Sequence, residues 1–322
     1  MNGSGSAAGF GLMSAATWGG SDFIGGVGAR RAPAMLVVVS GHIVSFLVLL
    51  VVCRAMHLPV PEHASLFYAA LGGFEGAFAL AIFYRALAMG AMGLTAALTG
   101  LLTALVPVLF SLVREGLPSP LTIVGLAMGL AAIWLITHTP TKPPESKATN
   151  LQPSQAQSSV SKAQGTVPHS FRALGEMSGN RQPFALPVPA TALLLGALAG
   201  LGFGAQLILF KMAGTGGVLW IMTSARAAGV AAMLIVIAIA PPKLPWRGFW
   251  LTGIVAGSLD TIGNLFYIQA SRLGRLDVAA LVSSMYPAGT ILLAAVVLHE
   301  WPTRRQLAGM ALALAAVALL SV

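Results

Sequence analysis

The sequence predicts an all-α integral membrane protein of ten transmembrane helices, built as two inverted five-helix repeats. Three observations indicate this fold class. The chain is 57% hydrophobic and only 8% charged, whereas soluble domains are about 25% charged. Its apolar residues form ten continuous runs, and one long polar segment divides these runs into five and five. Finally, the sequence landmarks of the first half recur in the second half.

The apolar runs are continuous rather than alternating, which favours helices over the strands of a membrane β-barrel. Helices also satisfy their backbone hydrogen bonds internally, as lipid requires, and about 20 residues span the hydrocarbon core. The first run is the least regular, because it is rich in glycine and contains Asp22. The predicted segments are residues 8–28, 34–53, 66–88, 92–113, 119–137, 190–211, 217–240, 249–270, 278–298 and 306–322.

Residues 138–189 have a different composition, rich in Pro, Ser, Gln, Thr and Lys. Such a segment cannot bury enough apolar surface to offset the entropy lost on ordering, so we predict a flexible linker. It separates a first five-helix unit at residues 8–137 from a second at residues 190–322. Because five is odd, the second unit is expected to lie upside down relative to the first. Inverted repeats of this kind are a common plan of secondary transporters.

The internal repeat is carried by landmarks that keep their order in both halves. Each copy opens with Phe-Tyr, continues with Ala-x-x-x-Gly, and ends on a glutamate that is followed shortly by proline. The copies need single-residue gaps to align, which indicates divergent duplication. The paired landmarks are Phe83-Tyr84 with Phe266-Tyr267, Ala86 to Gly90 with Ala270 to Gly274, and Glu115 and Pro118 with Glu300 and Pro302.

These landmarks resemble the drug/metabolite transporter superfamily, in the bacterial ten-helix form with two EamA domains. Residues 16–23 (Ala-Thr-Trp-Gly-Gly-Ser-Asp-Phe), Tyr286-Pro287 and residues 306–309 (Gln-Leu-Ala-Gly) add to the resemblance, which covers all the membrane segments and excludes the linker. It implies a carrier, by expectation an exporter, of small metabolites or drugs such as amino acids. It also implies a multi-pass protein of the inner (cytoplasmic) membrane with cytoplasmic termini. The basic loops favour the opposite orientation.

The sequence departs from the family pattern in two places. The first half has no proline aligned with Pro287, since Pro107 comes several residues late. Gly41-His42 stands in the second helix where the corresponding helix of the second half carries Arg226. We therefore do not expect equal roles for the two halves.

Polar residues inside the apolar runs predict the substrate site. A charged side chain at the bilayer centre costs about 2.5–3.5 kcal/mol, so it usually faces a bundle interior or water. Helical spacing places Asp22 on one face with Trp18, and Asp260 on one face with Asn264 and Tyr267. The predicted cavity, near the bilayer midplane, is lined by Trp18, Asp22, Glu75, Gln206, Asp260, Asn264, Tyr267 and Tyr286.

Two further groups are expected to support the site, Arg226 and His42, with a structural or coupling role. The alternative to a ligand cavity is a buried salt bridge between Arg226 and an acid, which would hold the fold without a ligand. Acids within a cavity would also allow coupling of transport to protons. Outside the membrane centre, Glu115 is expected to be solvated or to cap a helix, and Asp277 to form the N-cap of the ninth helix.

Other function classes lack their motifs. The net charge of +9 comes from only 18 Lys and Arg residues spread over loops and linker, which does not form a nucleic-acid surface. No catalytic, ATP-binding or metal-ligand motif is present, so neither a metal nor another cofactor is expected. The expected partners are a small-molecule substrate and the lipid bilayer, and no oligomer is required. The alternative to a transporter is a membrane-embedded enzyme or receptor on the same bundle.

Overall fold

The computed structural model describes residues 3–89, 92–137, 190–214, 216–243, 248–298 and 303–320, and all regular secondary structure in these ranges is helical. The predicted linker and Glu300 lie outside the described residues. In chain order the helices are α1 (Gly3–Ala29), α2 (Ala34–Ala55), α3 (His63–Ala88), α4 (Met92–Arg114), α5 (Pro120–Thr137), α6 (Ala190–Met212), α7 (Val218–Ile239), α8 (Phe249–Leu273), α9 (Leu276–Ser283), α10 (Tyr286–Leu298) and α11 (Arg304–Leu320).

Seven helical segments among the described residues are long and apolar enough to cross a membrane. The predicted all-α membrane class is therefore confirmed. Two shorter apolar stretches lie in α5 and α11, and α1 contains Asp22, so the count of ten spans stays a prediction. The seven segments are Ala34–Ala55, His63–Ala88, Thr95–Arg114, Ala190–Met212, Val218–Ile239, Phe249–Leu273 and Leu276–Val297.

The ninth predicted segment is two helices rather than one. The helix α9 ends at Ser283, a turn follows at residues 284–285, and α10 begins at Tyr286. Pro287 explains the break, because proline has no N–H to donate and its ring collides with the carbonyl four residues earlier, which here belongs to Ser283. In the first half, Pro107 lies inside the unbroken helix α4. The corresponding region of the two halves therefore differs in backbone as well as in sequence.

The helices of the two halves pack against each other reciprocally. In the first half, α3 packs on α6 and α7, which are the first two helices of the second half. In the second half, α8 packs on α1 and α2 in the same way. The pairs α2 with α7 and α5 with α11 complete the pattern. The main core of the molecule therefore lies between the halves, and not within either one.

Glycine permits the closest helix crossings in this core. A Cβ atom added at Gly41 of α2 would lie 2.7 Å from the Cα of Gly257 in α8. One added at Gly73 of α3 would lie 2.5 Å from the carbonyl carbon of Ala225 in α7. Backbones that approach this closely gain van der Waals contact, which drives helix association in lipid. The two crossings are again reciprocal, and they set the depth at which the polar residues of α2, α3, α7 and α8 meet.

Candidate functional site

A small cavity of about 30 Å³ lies at the centre of the bundle, between α1, α3, α4, α6, α8 and α10. Six of the eight residues predicted from the sequence line it. The remaining lining residues come from α3, α4 and α6. In full, the cavity is lined by Trp18, Asp22, Leu80, Thr103, Phe203, Gln206, Leu207, Asp260, Asn264 and Tyr286.

Helical spacing explains how α1 and α8 present their polar groups together. Trp18 and Asp22 are one turn apart on α1, and Asp260 and Asn264 are one turn apart on α8, so each pair shares a helix face. The two helices pack along much of their length, which brings the faces together. Tyr286 reaches the same space because it is the first residue of α10, directly after the break.

Asp260 is ion-paired. Arg226 of α7 donates from Nη2 to its Oδ2 at 2.5 Å, and Asn264 donates from Nδ2 to its Oδ1 at 3.1 Å. Arg226 also donates from Nη1 to Nε2 of His42 on α2 at 2.6 Å. Arg226 and His42 are only 3% and 2% exposed. The arginine thus joins α2, α7 and α8 in one buried network, as the salt-bridge alternative anticipated.

Asp22 has a different environment from Asp260. Asp22 is 6% exposed, and its carboxylate makes no hydrogen bond or ion pair within the described part of the chain. Asp260 lines the same cavity, but its charge is balanced by Arg226. A buried carboxylate without a partner is costly. Asp22 is therefore the group in the cavity most in need of a cationic ligand or a proton.

Aromatic rings form one wall of the site. The ring of Trp18 stacks on Tyr267 with centroids 6.0 Å apart, and meets Tyr286 edge-on at 6.2 Å. Tyr267 lies behind Trp18 and donates its hydroxyl to the carbonyl of Leu207 at 2.9 Å. It therefore supports the cavity without lining it. The buried hydroxyl of Tyr286 lies beside Thr103 and makes no hydrogen bond of normal geometry among the described residues.

Glu75 does not reach the cavity. It is only half-buried on α3, and its carboxylate lies against Gly202 of α6. One of its oxygens, Oε2, is buried without a hydrogen-bond partner among the described residues. The neighbouring position, Gly76, faces inward instead, and Gln206 fills the space that its missing side chain leaves. The structure therefore brings Glu75 to the interface of α3 with α6, apart from the other predicted site residues.

Four cavity residues were missed by the sequence reasoning: Leu80, Thr103, Phe203 and Leu207. Three of them are apolar residues within apolar runs, and no local pattern distinguishes them. Thr103 had a detectable signal, because threonines recur every fourth residue along α4. Thr99 donates to the carbonyl of Gly196 at 2.8 Å, and Thr103 to that of Gly200 at 3.5 Å. This threonine stripe attaches α4 to α6.

A second polar cluster closes one end of the bundle. The carboxylate of Glu115 accepts from the backbone N–H of Leu276 at 3.4 Å and lies 3.9 Å from Nζ of Lys211. Arg275 donates to Asp277 at 3.0 Å, and these side-chain hydrogen bonds raise the pKa of Arg275. The N-cap prediction for Asp277 was wrong. The N-cap of α9 is Arg275, and Asp277 lies in the first turn, where its carboxylate accepts from the N–H of Val278.

The comparisons with known proteins agree with this fold. Residues 190–322 match the EamA-like transporter family. Among 19 matching chains of solved structures, one described only as "Crystal structure of protein" superposes with a TM-score of 0.64 at 17% sequence identity, and the match covers 98% of this chain and 96% of that chain. At this identity the likeness shows the fold alone. No curated protein sequence matches significantly.

The fold and the family match together define a multi-pass membrane protein of the transporter class. More specifically, residues 190–322 match the EamA-like transporter family, which is part of the drug/metabolite transporter superfamily. The resemblance found in the sequence motifs is thereby confirmed.

Proposed function

We propose that the protein is a secondary-active transporter, an exporter by its family resemblance, that moves small metabolites or drugs carrying a protonated amine. Amino acids and related compounds belong to this class. We also propose that the protein lies in the inner membrane and that it crosses the bilayer ten times, as two inverted five-helix repeats. The observation that carries the proposal is the central cavity, where the carboxylate of Asp22, which has no ion-pair or hydrogen-bond partner among the described residues, lies beside the rings of Trp18 and Tyr286.

The chemistry of the cavity suits an ammonium group. A cation gains from the carboxylate and also from the faces of tryptophan and tyrosine rings. Gln206 and Asn264 supply amide groups for further hydrogen bonds, and Oδ1 of Asn264 is a buried acceptor without a partner among the described residues. Phe203 and Leu80 supply apolar contact for the remainder of the ligand.

Transport by alternating access follows from the size and position of the cavity. Its volume of about 30 Å³ has room for about one or two water molecules, whereas ligand pockets measure about 300–1,000 Å³. A substrate can therefore enter only when the helices separate. The cavity is lined by both halves, so rocking of one half against the other would open it to either side. The reciprocal packing of α3 and α8 supports an inverted repeat.

Coupling to protons is part of the proposal. A proton and a protonated amine would each neutralise Asp22, and both cannot occupy it at once. Release of one would thus favour binding of the other, which couples the two movements in opposite directions. Asp260 is less suited to this exchange, because Arg226 already balances its charge.

Vesicles reconstituted with the full-length protein test the proposal. Amines and amino acids should move across the membrane faster when a proton gradient is imposed, whereas uncharged sugars should not. Asp22→Asn should abolish this transport while the protein remains folded. Glu62→Gln is the matched control, since Glu62 is an exposed acid before α3. If Asp22→Asn transports amines like the wild type, the proposed role of Asp22 is wrong.

Thiol labelling tests the cavity itself. In a Cys53→Ser background, Asn264→Cys should react with a water-soluble thiol reagent and be protected by a transported amine. Glu75→Cys is the comparison, because it lies outside the cavity and should not be protected. Equal protection at both positions would contradict this placement of the substrate.

A further inference from the structure

A second pocket, far larger than the central cavity, lies at one end of the bundle. Its volume is about 590 Å³, it is open to the surroundings, and it is formed by the α1–α2 loop, α3 and α7 together with the start of α2. It shares no residue with the central cavity. Its volume falls in the range of about 300–1,000 Å³ that small-molecule sites occupy.

The mouth of this pocket is basic. Three guanidinium groups line it, those of Arg30 and Arg31 in the α1–α2 loop and Arg85 in the last turn of α3. All three residues are exposed. No acidic residue is among the described residues that line the pocket. Three guanidinium groups at one mouth favour an anion, and the planar guanidinium suits phosphate oxygens in particular.

The interior of the pocket is apolar, and the polarity changes along α3. Phe78 and Ile82 are partly buried and line the pocket together with Met233 of α7, whereas Arg85, in the last turn of α3, is exposed. From Phe78 to Arg85 is seven residues, a rise of about 10 Å along the helix. An occupant must therefore be charged at one end and apolar at the other.

The same face of α3 continues as an exposed apolar stripe. Phe67, Leu71 and Phe74 precede Phe78 at spacings of three and four residues and are 63%, 42% and 38% exposed. In a membrane-spanning helix this stripe faces lipid, so the pocket opens toward the bilayer as well as toward water. A soluble anion would leave the apolar part of the pocket and this stripe uncovered, whereas an acyl chain would cover both.

We propose that this pocket binds an anionic phospholipid, whose headgroup phosphate pairs with Arg30, Arg31 and Arg85 and whose acyl chain lies along α3. Basic pockets between transmembrane helices are known to hold such headgroups. The bound lipid would bridge the α1–α2 loop, α3 and α7. Because α1 carries Asp22 and α7 carries Arg226, the lipid would contact two of the three helices that bear the central charges.

Lipid binding to the full-length protein in detergent tests the proposal. Native mass spectrometry would compare phosphatidylglycerol with phosphatidylcholine, and the wild type should retain the anionic lipid preferentially. Arg85→Gln should weaken phosphatidylglycerol binding about fivefold, and Arg30→Gln with Arg31→Gln should add about fivefold for each residue. Phosphatidylcholine binding should not change.

The matched control removes two arginines outside the pocket. Arg304→Gln with Arg305→Gln, at the start of α11, changes exposed residues that do not line it and should leave the lipid preference intact. Equal weakening by this control and by the pocket variants would show a general charge effect and overturn the proposal. So would equal retention of the two lipids by the wild type.

Two further experiments distinguish a bound lipid from a bound soluble anion. Ala81→Trp would fill the apolar part of the pocket while leaving the arginines in place, and it should weaken phosphatidylglycerol binding. Glycerol phosphate, which has the headgroup chemistry without the acyl chains, should not displace the lipid. If glycerol phosphate competes as well as the lipid does, the pocket is a soluble-anion site and the proposal fails.

Discussion

The two halves of the molecule use matching helix crossings but different chemistry at them. In the first half, α3 presents Gly73 and then Gly76, and Gln206 fills the space beside Gly76. In the second half, α8 presents Gly257 and, at the same spacing, Asp260, which pairs with Arg226. The scaffold is thus shared, whereas the charged network belongs to the second half.

The same contrast holds elsewhere in the core. Arg226 of α7 meets its sequence counterpart His42 of α2 directly, so the corresponding positions of the two halves carry a permanent cation and a titratable ring. The fourth segment is unbroken in the first half and divided before Tyr286 in the second. Duplication has thus conserved the backbone contacts of the two halves, while the site between them has become asymmetric.

The largest effect is expected at the glycine crossings, and it should be equal in both halves. Gly73→Val and Gly257→Val would each force a side chain into the backbone of a neighbouring helix, so neither variant should yield folded protein. Size-exclusion chromatography of the solubilised membranes measures this. Gly9→Val is the control, since a Cβ at Gly9 meets nothing within 4 Å. A normal yield of either core variant would contradict the equivalence of the two crossings.

The next largest effects on stability are expected from removing Arg226 and its neighbour His42, and these two effects should be unequal. Arg226→Leu would leave the Asp260 carboxylate unpaired and should lower the free energy of unfolding by about 3–5 kcal/mol. His42→Leu removes one hydrogen bond to a charged group and should cost about 1.5–3 kcal/mol. Thermal unfolding of the purified variants ranks them. The double variant Arg226→Leu with Asp260→Leu should recover much of the loss, and a failure to recover would argue against the ion pair as its cause.

A smaller loss of stability, equal in the two halves, is expected on removing the hydroxyl of either tyrosine of the repeated Phe-Tyr motif. Tyr84 shares a hydrogen bond with Oγ of Ser21 on α1 at 2.9 Å, and Tyr267 donates to Leu207 on α6 at 2.9 Å. Tyr84→Phe and Tyr267→Phe should each lower the free energy of unfolding by about 1 kcal/mol. Tyr286→Phe is the control and should change it least. A large loss in Tyr286→Phe would mean that its hydroxyl has a structural partner.

The smallest effect is expected from changes to the predicted linker, residues 138–189. Because the principal contacts run between the halves, their association should not need a covalent connection. Deletion of residues 144–180, or coexpression of residues 1–150 with 175–322, should leave the thermal unfolding temperature and amine transport unchanged. Loss of folded protein in both cases would show that the segment has a structural role.

Helical periodicity predicted most residues of the candidate site, and the limits of this method explain why Glu75 was placed there wrongly. Trp18 with Asp22, and Asp260 with Asn264, were paired by one-turn spacing, and both pairs line the cavity. Glu75 was matched to Asp260 only approximately. One residue is about 100° of rotation on a helix, so a register error of one position moves a side chain off the face. Gly76, and not Glu75, faces inward at that level.

By itself the sequence determined the membrane class, the limits of most helices and the duplicated motifs, because these depend on local composition and on the length of chain that crosses a bilayer. It also supplied the helix-breaking proline, although its effect on the ninth segment was not predicted. The pairing of Arg226 with Asp260, and the lack of a partner for Asp22 among the described residues, became visible only in the folded protein. Such pairings depend on which helices pack together and at what depth, and residues from distant parts of the chain fix both.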